Sequence, residues 1–315
     1  MKPMSPKIVF FGNERLATGV TTQAPTLQAL IAAGYEVAAV VVAQEAASQS
    51  RQARELEIAA VASAHGIPLL APAKLSAVKD HLASLNASVG VLVAYGKFVP
   101  PSIIGLFPRG IINIHPSLLP KHRGPTPLES VILNGDRTTG VTLMQLAAAM
   151  DSGAIVAQET VVLRGDETKQ ALADQLSNLG KDMLLEHLTA VVAGSSPVTA
   201  QDDSQAQYDQ LIAKDAGRLD AAAWQRPVAT LERQIRAYAG WPRSRTTIGA
   251  TDIIITQAHV APGAGSPGSL WLESKSFGVH GKDGVLVIDS LIPAGKKEMS
   301  AAAFLAGYHL PEAPN

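Results

Sequence analysis

Apolar residues gather in short runs at 7–11, 36–42, 88–94 and 110–115, and between these runs they recur at helical spacing over 26–33 and 51–65. The runs are rich in Val, Ile and Phe and carry little alternation, the pattern of strands buried on both faces. The second helical pattern stops at Gly66, followed by Pro68. Alternation of this kind predicts an α/β unit, a mostly parallel sheet with helices on both sides. The spacing then predicts a helix over 126–133, closed by Asn134-Gly135, and two strands over 141–146 and 154–163 on either side of the turn Asp151-Ser152-Gly153. An amphipathic helix over 169–192 ends before Gly194. From 195 to 207 the chain is polar and aperiodic, which reads as a linker. Beyond it, a helix over 228–239 and short strands around 253–256, 269–272, 276–280 and 284–290, with Gly-rich turns, fit a small β-barrel. The expected organisation is therefore a first domain at 1–194, a linker at 195–207 and a second domain at 208–315.

Composition narrows the chemistry. With 315 residues, 47% hydrophobic and 17% charged, the chain can bury a sizeable core in two domains. The absence of cysteine excludes disulfides, thiolate metal sites and a cysteine nucleophile. A net charge of −1 means that any nucleic-acid contact must come from a local basic patch. No apolar run approaches the roughly 20 residues that span a bilayer, and the start lacks the apolar region of a secretory signal, so a cytoplasmic location is expected.

The strand predicted at 110–115 delivers two polar side chains, Asn113 and His115, two residues apart and so on one face. Pro116 has no N–H for a sheet ladder, which places His115 at the strand's carboxyl end, where open α/β sheets bind ligands. An Asn amide can donate to a carbonyl oxygen as charge develops on it, and an imidazole can donate or shuttle a proton. Asp151, read alone, is ordinary turn chemistry; folded over His115, its carboxylate would orient the ring. The loop 117–125 contains two further prolines and is expected to be a rigid wall, with Lys121, His122 and Arg123 as a solvated cluster. No local metal pattern such as HExxH occurs, and neither GxGxxG nor GxxxxGK[ST] follows Gly12, so no metal and no Rossmann cofactor or P-loop is expected.

Asn113-Ile114-His115-Pro116-Ser117-Leu118-Leu119-Pro120, together with Val93-Ala94-Tyr95-Gly96, Arg123-Gly124, Gly140-Val141-Thr142 and Met150-Asp151-Ser152-Gly153, resembles the folate-dependent formyltransferases. The resemblance implies a Rossmann-like formyltransferase domain followed by an OB-like domain, with 10-formyltetrahydrofolate as formyl donor. It also implies that Asn113, His115 and Asp151 are catalytic, and that Tyr95, Gly96, Ser117, Leu118, Leu119 and Pro120 bind the folate. In the carboxyl half, Ile235-Arg236-Ala237, Trp241-Pro242 and the run from Pro293 to Ser300 are similar to the branch that formylates the methionine of initiator tRNA, implying that tRNA as partner and a monomeric enzyme. The resemblance implies tRNA contacts in a loop that is usually more basic and here holds only Arg51 and Arg54; after the linker, Arg226, Arg233, Arg236, Arg243 and Arg245 are compatible with phosphate contacts or with solvated helix and strand faces. After Tyr208, eleven Lys or Arg face ten Asp or Glu, so the second domain has no basic footprint as a whole. Two segments depart from the family: 14–23 is longer than its usual Thr-Pro turn, and Lys121-His122 replaces an aromatic and basic pair. The rivals are formyl transfer to an amino-sugar nucleotide or to glycinamide ribonucleotide, hydrolysis to formate, and RNA binding without catalysis. The second domain argues against the ribonucleotide enzyme.

Overall fold

The computed structural model describes residues 6–43, 56–308 and 310. Arg51, Arg54 and the first residues of the helix expected from 51 lie outside them. Among the described residues no helix is long and apolar enough to cross a membrane.

The chain forms two compact units: one takes residues up to Leu128, Thr138–Leu163 and Gln170–Gln210, the other Glu129–Arg137, Arg164–Lys169 and the chain from Leu211. The elements follow the expected alternation: β1 (Lys7–Gly12), α1 (Pro25–Ala32), β2 (Glu36–Val41), α2 (Glu57–Ala64), β3 (Leu69–Leu70), α3 (Lys79–Ser84), β4 (Val89–Val93), α4 (Pro101–Ile104), β5 (Ile111–His115), α5 (Pro127–Asn134), β6 (Thr138–Gln145), β7 (Ile155–Val162) and α6 (Lys169–Ala193).

In the first unit the seven strands lie in the order β3-β2-β1-β4-β5-β6-β7. Pairing is parallel from β3 through to β5 and antiparallel for β6 and β7. Every residue of β4 and β5 is buried, which accounts for the apolar character of both strands apart from Asn113 and His115. The strand β7 closes the edge and is largely exposed. The order reverses between β1 and β4, the place where open sheets leave a crevice at their carboxyl ends. Gly12 makes that closure feasible: its φ is +119° and a Cβ there would lie 1.8 Å from the Val93 carbonyl oxygen. On the other face, Gly180 of α6 lets the helix lie against Ile114, where an added Cβ would meet that side chain at 2.5 Å. Ile114 thus anchors β5 from one side while Asn113 and His115 face the other.

In the second unit are α7 (Val228–Ala237), β8 (Ser244–Ile248), β9 (Thr251–Ala261), β10 (Leu270–Glu273), β11 (Ser276–His280), β12 (Val285–Pro293), β13 (Met299–Ser300) and α8 (Ala301–Gly307). The antiparallel order β10-β11-β12-β9-β8, with β13 on β12, is the strand-rich, barrel-like domain that was expected. Leu231, Ile235, Phe277, Leu286 and Phe304 fill its core. Three strands differ from the sequence reading: β9 is longer than 253–256, β13 was not foreseen, and neither was β8. Its residues Ser244-Arg245-Thr246-Thr247-Ile248 are mostly polar because β8 is an edge strand. Lys169 and Glu129 form an ion pair of 3.3 Å in this unit, with side chains 1% and 2% exposed, and the ammonium also donates to the Trp241 carbonyl at 3.0 Å. Burial pulls the Lys169 pKa below its ordinary value, with the Glu129 charge opposing.

Candidate active site

Strand pairing fixes the two polar residues of β5. Asn113 lies beside Leu92 of β4 and Met144 of β6, and His115 lies opposite Thr142. Both are buried, at 6% and 5% exposure, in an otherwise apolar strand. The Asn113 amide makes no hydrogen bond to any described residue, so its donors remain available. His115 Nε2 lies 2.8 Å from the carbonyl oxygen of His122. Since a carbonyl only accepts, the neutral ring carries its proton on Nε2, leaving the Nδ1 lone pair as its basic site.

That lone pair faces Asp151, whose Oδ2 is 3.8 Å from Nδ1, beyond hydrogen-bonding range. The same oxygen accepts the Gly124 amide at 2.8 Å. Asp151 sits at φ +48°, a left-handed conformation that Asp tolerates better than most residues and that recurs at functional sites. Gly153 completes the turn because a Cβ there would lie 1.7 Å from the Gln145 carbonyl oxygen. The residue types that made 151–153 look like an ordinary turn thus serve to aim a carboxylate at the end of β5.

The loop after His115 is fastened by Thr142, a fully buried residue. Its hydroxyl donates to the Ser117 carbonyl at 2.7 Å and accepts from the Leu119 amide at 3.2 Å and from Gln158 Nε2 at 2.8 Å, which fills its capacity. Gln158 also donates to the Leu119 carbonyl at 2.9 Å, and Ser117 donates its hydroxyl to the Lys121 carbonyl at 2.7 Å. Of the residues expected to bind folate, Ser117 and Leu119 are therefore turned into the protein and shape the loop. Leu118, Pro120 and Gly96 keep exposed surface, and nothing would lie within 4 Å of a Cβ on Gly96. Tyr95 is buried edge-on against Phe11, and burial raises its phenol above its usual pKa. Apolar surface beside an unbonded amide suits a flat heteroaromatic co-substrate carrying a carbonyl.

The expected solvated Lys-His-Arg cluster is corrected. Only Lys121 is exposed; His122 is 6% and Arg123 1% exposed. His122 Nδ1 lies 3.1 and 3.2 Å from the two carboxylate oxygens of Asp209. Arg123 donates to Gln201, Asp203 and Tyr208, and its guanidinium lies 5.6 Å from the Tyr208 ring centre. These partners belong to 201–209, roughly 80 residues away, so no local pattern could have revealed the burial.

Among the described residues, the arginines expected to meet tRNA differ in their surroundings. Arg236 is paired with Glu232 at 2.6 Å and donates to the Glu167 carbonyl, and Arg226 donates to Gln234. Arg233 is partly buried, near Thr230. Arg243 and Arg245 are exposed at the start of β8. Arg245 lines a cleft of about 800 Å³ with Arg218, Trp224 and the Pro293–Gly295 turn. A buried acid that the sequence reading passed over, Glu14, accepts the amides of Thr26 and Leu27 at the start of α1, both at 2.8 Å. Burial raises its pKa above the usual 4.5, and those hydrogen bonds partly offset the rise.

Comparison with known proteins agrees with this geometry. The family described as Formyl transferase matches residues 7–188, and Formyl transferase, C-terminal domain, matches 212–309. The methionyl-tRNA formyltransferase of Trichlorobacter lovleyi is 34% identical over 96% of this chain and 95% of its own. That of Chloroflexus aggregans is 37% identical over 97% and 98%. Among solved structures, an N-formyltransferase from Helicobacter canadensis in complex with folinic acid and dTDP-3-aminofucose has a TM-score of 0.67 at 16% identity, covering 94% of this chain and 100% of that one. HypX from Aquifex aeolicus in complex with tetrahydrofolic acid has a TM-score of 0.63 at 17% identity, and the match spans 95% of this chain and 46% of HypX. At these identities the two structures speak for the fold alone. Matched in both domains and along nearly its full length, the chain belongs to the formyl transferase family.

Proposed function

We infer that the protein transfers the formyl group of 10-formyltetrahydrofolate to the α-amino group of methionine on initiator tRNA. Full-length similarity to methionyl-tRNA formyltransferases in both domains supports the substrate pair. The observation that carries the chemistry is the unbonded Asn113 amide beside a histidine whose proton is held on the far nitrogen. When bound, the folate supplies the activated formyl group. Asn113 donates to the formyl oxygen as negative charge grows on it. Nδ1 of His115 takes the proton released by the attacking amine, the Asp151 carboxylate stabilises the imidazolium that results, and His115 returns the proton to N10 of the folate as the formyl C–N10 bond breaks and tetrahydrofolate leaves. No covalent enzyme intermediate is needed, since the amine is itself the nucleophile.

Tyr95, Gly96, Ser117, Leu118, Leu119 and Pro120 form the folate wall in this reading, with Ser117 and Leu119 acting through the loop's shape. Residues 1–194 serve as the catalytic domain, 195–207 as the connecting segment and 208–315 as the tRNA-binding domain. The cleft lined by Arg245 and the Pro293–Gly295 turn supports that last role, because the turn belongs to the motif resembling the tRNA branch. Arg51, Arg54, Arg226, Arg233, Arg236 and Arg243 are the remaining candidate phosphate contacts. The enzyme acts as a monomer in the cytoplasm, where its charged tRNA is made.

The test offers the protein 10-formyltetrahydrofolate with charged initiator tRNA, with an amino-sugar nucleotide, or with water alone. Formylmethionyl-tRNA is the expected product. Formate released without formylmethionine, or formyl transferred to the sugar and not to the tRNA, would overturn the reading.

A further inference from the structure

The segment 199–210 does more than join two regions of sequence. Thr199 exchanges backbone hydrogen bonds with Ile155, the Gln207 carbonyl accepts from the Arg123 amide, and the Asp209 amide donates to the Arg123 carbonyl. Within this strap, Gln201 occupies a particular position. Its amide nitrogen donates to the carbonyls of Asp151 at 2.8 Å and Gly153 at 2.7 Å. Its amide oxygen accepts from Nε and Nη2 of Arg123 at 3.1 and 2.8 Å. Two donors and two acceptor sites are all that a glutamine side chain has, and all four are used. The orientation is fixed as well, since carbonyls only accept and a guanidinium only donates.

Gln201 therefore ties the turn that carries Asp151 to the loop that follows His115. The Gly124 amide, which donates to Asp151 Oδ2, provides a second link between the two loops. That matters because Asp151 is held in a left-handed conformation, which persists only where surrounding contacts over-determine it. The carbonyls held by Gln201 belong to Asp151 itself and to the residue two beyond it, so they fix the backbone from which the carboxylate is aimed.

We propose that Gln201 is a positioning residue for formyl transfer, holding the Asp151 carboxylate at its working distance from His115. The proposal rests on the roles given above to Asp151 and His115. Gln201→Glu separates the two halves of the device: a carboxylate still accepts from Arg123 but cannot donate to the two carbonyls. Gln201→Leu removes both halves.

The experiment measures formylation of initiator methionyl-tRNA by full-length protein with 10-formyltetrahydrofolate, in wild type, Q201E, Q201L, D151N and the double variant Q201E/D151N. Q201E should lower kcat by about 10- to 100-fold, the scale of a misplaced catalytic group, while KM for either substrate stays within about threefold. In the D151N background the same change should cost less than about threefold, because the group it positions is already lost. Wild-type kcat in a natively folded Q201E or Q201L protein overturns the proposal. So does an equal loss in the D151N background, an effect confined to KM, or failure of both variants to fold, which would make Gln201 a folding residue. Wild type serves as the control: an inactive wild type sinks the formyl-transfer reading, whereas an active wild type with an unaffected Q201E sinks only this one.

Discussion

Two buried acid and base pairs in this molecule are built to opposite ends. Glu129 and Lys169 approach to 3.3 Å with side chains 1% and 2% exposed, and the ammonium is further satisfied by a carbonyl. Asp151 and His115 stand 3.8 Å apart at 15% and 6% exposure, and each is already bonded elsewhere: the carboxylate to the Gly124 amide, the ring to the His122 carbonyl. A sealed pair gains nothing from either partner changing charge, and removing one leaves an isolated buried ion. A pair held just apart leaves the imidazole Nδ1 without a hydrogen bond to the carboxylate it faces. The first arrangement suits folding, and the second suits the proton transfer proposed above.

The comparison can be broken most directly at His115. His115→Ala should lower kcat by roughly 100- to 10,000-fold, and Asn113→Ala by roughly 100- to 1,000-fold, with little change in the midpoint of thermal unfolding. A large drop in that midpoint would put His115 in the same class as Lys169. Glu129→Ala should do the reverse, destabilising the fold by about 3–5 kcal/mol in urea titration because it strands the Lys169 ammonium. Its kcat, measured where the protein is still folded, should stay near wild type; a hundredfold loss there would contradict the distinction.

Asp209 gives a sharper case, since it holds the residue whose carbonyl accepts the His115 proton. Asp209→Ala should reduce kcat several-fold and cost about 1–3 kcal/mol, as expected when a buried hydrogen-bonding group loses its partner. An unchanged kcat would mean that the His122 carbonyl is held by its backbone alone.

Glu14 supplies the smallest effect and a pH test. Its folded-state pKa lies above 4.5, so the folded protein binds more protons than the unfolded chain between that value and the raised one. Stability from this group is therefore fully present below 4.5 and lost as pH rises through the folded value. Denaturant titrations across that range should show wild type losing stability with rising pH relative to Glu14→Gln; parallel curves would refute the shift.

Sequence reading reached β1, β2, β4 and β5 because they are short, mostly apolar runs, and placed His115 at the end of its strand because a proline follows it. It failed where the deciding partner is remote. Nothing near His122 and Arg123 announces Asp209, Gln201 or Tyr208, and a Lys-His-Arg run in a loop reads as surface until those partners are seen. The polar stretch 195–207 reads as a linker, and its polarity does not reveal that Gln201 and Asp203 bond to Arg123. The edge strand β8 escaped because half its residues face water, and the period-2 signal is short and polar. Family resemblance supplied Asp151, whose local chemistry is that of any tight turn.

The Arg123 hydrogen bonds also bear on how the molecule can be divided. A chain stopped at 194 keeps every strand of the seven-stranded sheet, yet it loses Gln201, Asp203, Tyr208 and Asp209 together, the residues that bond the buried Arg123 guanidinium and His122 imidazole. Hydrogen bonding thus carries the edge of the first compact unit past the end of α6 to Gln210, whose carbonyl accepts from Thr126.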